Sequence, residues 1–115
     1  MSKIISIHEY KLKSGISNRQ FELTVKSARK QGLFDLPGLI QYHFLKRIRG
    51  TRNVDYAAIW IYKNQSLWQK LWGKPDKPVD KDCYPEKWKI WEEQLLAPLL
   101  AQDPDRIFYA AYKEF

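Results

Sequence analysis

Cysteine occurs once in this 115-residue chain, at Cys83, and histidine only twice, at His8 and His43. A lone thiol cannot close an internal disulfide, and no C-x-x-C or paired Cys/His spacing is present to hold a structural zinc. Two isolated histidines without a third ligand do not make a metal site, so neither a metal nor a cofactor is expected. No stretch approaches the roughly 18 apolar residues of a membrane span. The opening MSKIISIHEYKLK meets charge too soon for the apolar part of a signal peptide, so the expectation is a cytoplasmic protein with no membrane partner. G-x-S-x-G, a P-loop and a glycine-rich dinucleotide turn are all missing, which leaves hydrolase, NTPase and Rossmann readings without support. Glu92 and Glu93 are adjacent on an expected helix and point about 100° apart, which suits a solvated face better than an acid/base pair.

What is present is aromatic and basic. Five Trp, seven Tyr and five Phe accompany a net charge of +7, and the excess lies in the first half: residues 1–52 carry 11 basic and 3 acidic side chains, residues 53–115 carry 9 and 10. A length of this order suits one domain spanning residues 1–115, with a core that needs no covalent staple.

Period-two alternation predicts a strand over residues 3–13, ended by Gly15. The SNRQ stretch, Ser17 to Gln20, is a capping box, with Ile16 placed to staple onto Phe21; Phe21, Val25 and Ala28 form the stripe of a helix that stops at Gly32. A strand over 39–49, a basic turn and a strand over 54–63 read as a hairpin. Asn64 or Ser66 caps a helix bearing Leu67, Trp68, Leu71 and Trp72. GKPDKPVDKDCYP, residues 73–85, reads as a loop. A helix follows from Pro85 with Trp88, Trp91, Leu95 and Leu99 in its stripe and Pro98 at its kink or end. A strand over 106–115 closes the chain. The order is β-α-β-β-α-β with the second helix split, so the fold expected is α+β: a ferredoxin-like four-stranded antiparallel sheet with helices on one face.

That arrangement leaves the other sheet face without cover. Yet the strands are apolar on both sides: Tyr56, Ala58, Trp60 and Tyr62 alternate with Ala57, Ile59 and Ile61, and strand two sets Ile40, Tyr42 and Phe44 against Leu39 and Leu45. Such a patch exceeds what monomers ordinarily expose. Two copies packed face to face cover it with one self-complementary interface, so a homodimer is expected.

The order of elements, the YKLKSG end of strand one, the LPGLIQYHFL lead into strand two and the IWIYKNQSLWQKLW passage from strand three into the second helix resemble the dimeric α/β-barrel superfamily. The chain is most similar there to antibiotic-biosynthesis-monooxygenase-like domains. The resemblance covers nearly the whole chain, with residues 73–85 as an insertion. It implies a two-sheet barrel and a pocket in each subunit between sheet and helices, and an oxidoreductase that works without metal or flavin as one activity among several. Two positions depart from the pattern. Tyr56 stands where the cofactor-free oxygenases carry an Asn four residues before the Trp that Trp60 matches, and no His follows residue 43, where haem-degrading members bind iron. Relatives with cyclase or isomerase chemistry often carry a His on strand one, as His8 is here.

The function expected is binding of a small aromatic or apolar metabolite, with cofactor-independent monooxygenase or isomerase/cyclase-like chemistry. His8 and His43 are the candidate catalytic groups, since imidazole moves protons near neutral pH. Tyr10, Tyr56, Trp60, Trp68 and Trp91 are candidate ligand walls, and Arg47 a candidate partner for an acidic substituent. For each of these aromatics the reading as core or interface filler comes first and the ligand wall second. A binding-only dimer is one alternative. A nucleic-acid module is another, since RNA-recognition motifs share this order and Lys46, Arg47, Arg49 and Arg52 cluster on the hairpin. Ala58 and the Ile-rich first strand stand where such motifs need stacking aromatics, so nucleic acid is not expected.

Overall fold

Alternation of side chains along the strands becomes a paired sheet in the computed structural model, which describes residues 2–115. The elements are β1 (Ile4–Tyr10), α1 (Asn18–Lys30), β2 (Leu39–Lys46), β3 (Tyr56–Tyr62), α2 (Gln65–Trp72), α3 (Glu86–Lys89) and β4 (Phe108–Lys113). α3 continues directly into a π-helical stretch, Ile90–Leu96, and a 3-10 turn, Ala97–Leu99. The four strands pair antiparallel in the order β2-β3-β1-β4, which is the ferredoxin-like arrangement expected.

Local chemistry sets the helix ends. The Gln20 N–H donates to Ser17 Oγ at 3.1 Å and the Ser17 N–H to Gln20 Oε1 at 2.8 Å, the reciprocal pair of a capping box. At the other end Gly32 takes φ +72°, and the Gly32 and Leu33 amides return to the Arg29 and Ala28 carbonyls, so the last turn of α1 is satisfied as a Schellman motif. Asn64 caps α2 through its side chain, which accepts from the Leu67 N–H at 2.9 Å.

Register decides which residues face the helices. Tyr10, Tyr56, Ala58, Trp60 and Tyr62 are buried in one cluster with Phe21, Val25 and Ala28 of α1, Trp68 of α2, and Trp88, Trp91 and Leu96 beyond it. Ile5, Ile7, Ala57, Ile59, Ile61, Phe108 and Ala110 line the opposite face, each only partly covered. A bulge between Leu39 and Gln41 alters the expected pattern in β2. Leu39 lies opposite Tyr62 and packs with the core instead of sharing a face with Leu45, while Ile40 is left 51% exposed.

All four strands also stop short of the expected limits, the third running only over Tyr56–Tyr62 and the last over Phe108–Lys113. After Tyr10 the chain leaves the main ladder: the Leu12 N–H donates to Asp55 Oδ2 at 2.8 Å, and Leu12 forms an isolated bridge to Leu100. β2 stops at Lys46, and the basic residues beyond it stand in the turn. The segment read as a plain loop has structure of its own, a two-residue ladder (Gly73–Lys74 with Lys77–Pro78) and a 3-10 turn at Lys81–Cys83.

Candidate functional site

Between the helical face of the sheet and the 73–85 segment lies a cavity of about 480 Å³. Its floor is the β1/β4 side of the sheet, with Ser6, His8, Tyr62 and Tyr109; Trp68, Trp72 and Trp88 form the helical wall; Pro75, Pro78 and Tyr84 form the roof. This volume suits a ligand of one to three rings.

The roof is held by specific contacts. Gly73 adopts φ +87° where α2 ends, and the ladder folds back so closely that a Cβ there would stand 2.6 Å from the Lys77 carbonyl oxygen. The Val79 N–H then donates to the Trp72 carbonyl at 3.0 Å. Tyr84 meets the Trp72 ring edge-on at 5.3 Å, and the Trp72 Nε1–H donates to Tyr62 Oη at 3.2 Å. Because that bond uses Tyr62 as acceptor, its hydroxyl proton stays free to donate.

His8 stands among aromatic rings: Tyr109 at 5.3 Å, Trp88 at 5.9 Å, Trp60 at 6.0 Å and Tyr10 at 6.4 Å between centroids. Burial lowers the imidazole to about 4, so the ring is neutral at pH 7 and keeps a free lone pair. Facing the same cavity is Glu92, 8% exposed and not in solvent as its sequence context suggested. Burial first, and then Asp105, raise its carboxyl to about 7. The reason for the correction lies in the stripe. Glu92 is four residues after Trp88 and four before Leu96, both buried, so it sits inside the apolar face that its neighbour Glu93 avoids. An acid within an apolar stripe was the signal available in the sequence.

Of the residues singled out from sequence, the structure brings His8 and Trp68 together at this cavity. Trp60, Trp91 and Tyr10 lie in the core behind it, each 0% exposed; Trp91 packs edge-on against Phe34 at 5.0 Å and Phe44 at 5.8 Å. The polar atoms of these three make no hydrogen bond of normal geometry among the described residues. Tyr56 is at the far end of the sheet, stacked on Phe21 at 4.3 Å, with its hydroxyl donating to Glu22. Arg47 belongs to a separate shallow groove at the hairpin, together with Arg49 and Arg52. His43 is opposite Ile59, on the sheet face turned away from the cavity, and is exposed. The two histidines therefore lie on opposite faces.

Among the described residues no group of three or more His, Cys, Asp or Glu side chains is placed to hold a metal, and no helix is long and apolar enough to cross a membrane.

Neither a protein-family profile nor a curated protein sequence matches the chain. Solved structures do. A dabb family protein with a ferredoxin-like fold from Mesorhizobium loti superposes with a TM-score of 0.65 at 12% identity, over 97% of this chain and 96% of that one. A dimeric ferredoxin-like protein of unknown function from Jannaschia sp. CCS1 gives 0.63 at 8% identity, over 96% and 97%. SnoaB, a cofactor-independent oxygenase from Streptomyces nogalater, gives 0.61 at 8% identity, over 97% and 92%. At such identities the likeness establishes the fold alone, and that fold is the ferredoxin-like one.

Proposed function

We propose that the chain is the subunit of a homodimeric α/β barrel whose cavity binds a small aromatic or otherwise apolar molecule and moves a proton on it, as an isomerase or cyclase does, with His8 as base. The observation that carries this reading is the placement of the His8 imidazole, ringed by Tyr109, Trp88 and Trp60, on an aromatic-walled cavity of about 480 Å³. Indole faces bind flat ligands by stacking, and the Tyr62 hydroxyl supplies a donor to fix orientation. A neutral imidazole accepts a proton at pH 7, and the charge it gains is offset by the enolate or phenolate it creates beside it. His43, on the other sheet face, has no part in this chemistry.

The homodimer follows from the uncovered face. Ile5, Ile7, Ile59, Ile61 and Ala110 form its centre, and a second copy covers it through a two-fold contact. Dimeric neighbours of the same fold favour this occupant over RNA. A cytoplasmic location is proposed with it, as Cys83 is a free and exposed thiol.

A second reading, cofactor-independent oxidation, is favoured by the likeness to SnoaB. There the carbanion formed by His8 would react with dioxygen instead of being reprotonated, and oxygen uptake separates the two.

The test is a light-scattering mass together with a titration of 2-naphthol followed by tryptophan fluorescence. Twice the chain mass is expected, with saturable quenching because three of the five tryptophans line the cavity. A monomer would overturn the barrel, and no quenching would overturn the ligand site.

A further inference from the structure

Nothing in the surrounding contacts accounts for the burial of Glu92. Its carboxyl takes part in no ion pair and accepts no hydrogen bond of normal geometry among the described residues; the Trp88 indole N–H offsets part of its pKa rise without reaching that geometry. The groups that act on it are Asp105 from the turn before β4, Lys81 and Tyr84 from the roof, Glu93 on its own helix, and Tyr10 from β1. It is also carried by a π-helical turn, an irregularity that recurs at functional sites because the wider turn re-aims side chains. Glu92 is buried as a residue, but its carboxyl oxygens are not enclosed: they open to the cavity, and acids held in a largely apolar wall gather where a ligand completes their bonding.

We infer that Glu92 is the acid of this cavity, giving its proton to the carbonyl oxygen of an enolisable aromatic ketone while His8 removes the proton from the adjacent carbon. The inference rests on the ligand-cavity reading and names its substrate class. His8 and Glu92 both lie near Trp88 on the cavity wall: the His8 ring is edge-on to it at 5.9 Å, and Glu92 is one helical repeat beyond it in the chain. A ligand in this cavity is bordered by both groups, since His8, Trp88 and Glu92 all line it. The C–H bond next to the carbonyl breaks, and its electron pair becomes the C=C bond of the enol. The carbonyl π pair takes the Glu92 proton as the new O–H, leaving imidazolium and carboxylate. Returning the enol O–H proton to Glu92 and the His8 proton to carbon, the same atom or its vinylogue, restores both groups, so no oxidant or reductant is needed. The acid also answers a weakness of the base. A buried imidazole gains charge reluctantly, and a donor that neutralises the developing enolate lowers that barrier. Ligands that bring their own carboxylate into the interior are disfavoured beside Glu92.

The probe is 2-tetralone, a neutral bicyclic ketone, in deuterated buffer, with exchange at the carbons beside the carbonyl followed by proton NMR and binding followed by tryptophan fluorescence. The wild-type protein is expected to accelerate exchange. Glu92→Gln should bind 2-tetralone with little change and slow exchange by roughly 100-fold, and His8→Gln should slow it similarly. Wild-type exchange rates in Glu92→Gln together with a slow His8→Gln would overturn the role of Glu92 and leave the cavity reading standing. Failure of 2-tetralone to bind the wild-type protein would overturn both. Should either variant misfold, carbon-13 NMR of the wild-type Glu92 carboxyl decides: a shift on adding 2-tetralone is expected, and an unmoved resonance with the probe bound would overturn the inference.

Discussion

Lys81 and Asp105 meet across the mouth of the cavity, with Nζ 2.7 Å from Oδ2, and tie the roof to the turn that leads into β4. Both side chains are about half exposed, at 43% and 52%, so the pair contributes less than about 1 kcal/mol to folding. Its effect should instead be on passage. Lys81→Ala and Asp105→Asn are both expected to hasten dissociation of 2-naphthol in stopped-flow fluorescence, with thermal stability almost unmoved. The two then part company at Glu92. Lys81 lowers the Glu92 pKa and Asp105 raises it, so Lys81→Ala moves it up and Asp105→Asn moves it down in a carboxyl NMR titration. Shifts of one sign in both variants would show that the pair acts on Glu92 only through the position of the roof.

The pH dependence of stability should reveal His8 and Glu92 as an opposed pair. His8 is lowered to about 4, so between about 4 and 6.5 the unfolded chain binds a proton that the native protein does not, and stability rises with pH. Glu92 is raised to about 7, so between 4.5 and about 7 the native protein holds a proton that the unfolded chain has lost, and stability falls with pH. Over the shared window the two slopes cancel. Urea unfolding at fixed protein concentration should therefore give a rising slope of about 1.4 kcal/mol per pH unit for Glu92→Gln and a falling slope of like size for His8→Gln. Parallel profiles in the two variants would mean that at least one of the groups is solvated.

Much of the fold was legible because it rests on short-range chemistry. The Ser17–Gln20 box, the Gly32 stop and the Asn64 cap each act within a few residues, and the alternation in β1 and β3 requires only the pleat. The site was less legible. His8 and Trp68 are 60 positions apart and reach one cavity only through the sheet register and the docking of α2, whereas Trp60 and Trp91 carry the same chemistry and end in the core. Glu92 was hidden by a period. The apolar stripe through Trp88 and Leu96 brackets Glu92 in the sequence, but two adjacent acids look like surface, and the π stretch that turns one of them inward becomes visible only in the structure. The roof was hidden for another reason: a proline-rich segment shows where regular structure stops but not what it covers.

Two tryptophans should separate packing from binding. Trp91 is 0% exposed among Phe34 and Phe44, so Trp91→Ala leaves a large void and should cost about 3–5 kcal/mol in urea unfolding. Trp68 faces a space that already exists, so Trp68→Ala should cost less and weaken 2-naphthol binding by roughly tenfold, the loss of one good aromatic contact. An equal stability loss in both would place Trp68 in the core and shrink the ligand site to the Trp72 and Trp88 side.

The uncovered sheet face gives the most direct handle on assembly. Ile59 is central there, on β3 between β2 and β1, opposite His43 on one side and Ile7 on the other. Lys at this position points its ammonium into the middle of the proposed two-fold contact, where two copies would bring like charges together in a desolvated patch. Its own subunit is scarcely disturbed, because the helical core lies on the other side of the sheet. Ile59→Lys should thus halve the light-scattering mass while leaving the circular dichroism spectrum unchanged. The cavity lies wholly within one subunit, so 2-naphthol quenching should persist in that monomer. A variant that remains dimeric would move the interface off this face and leave its isoleucines without an explanation.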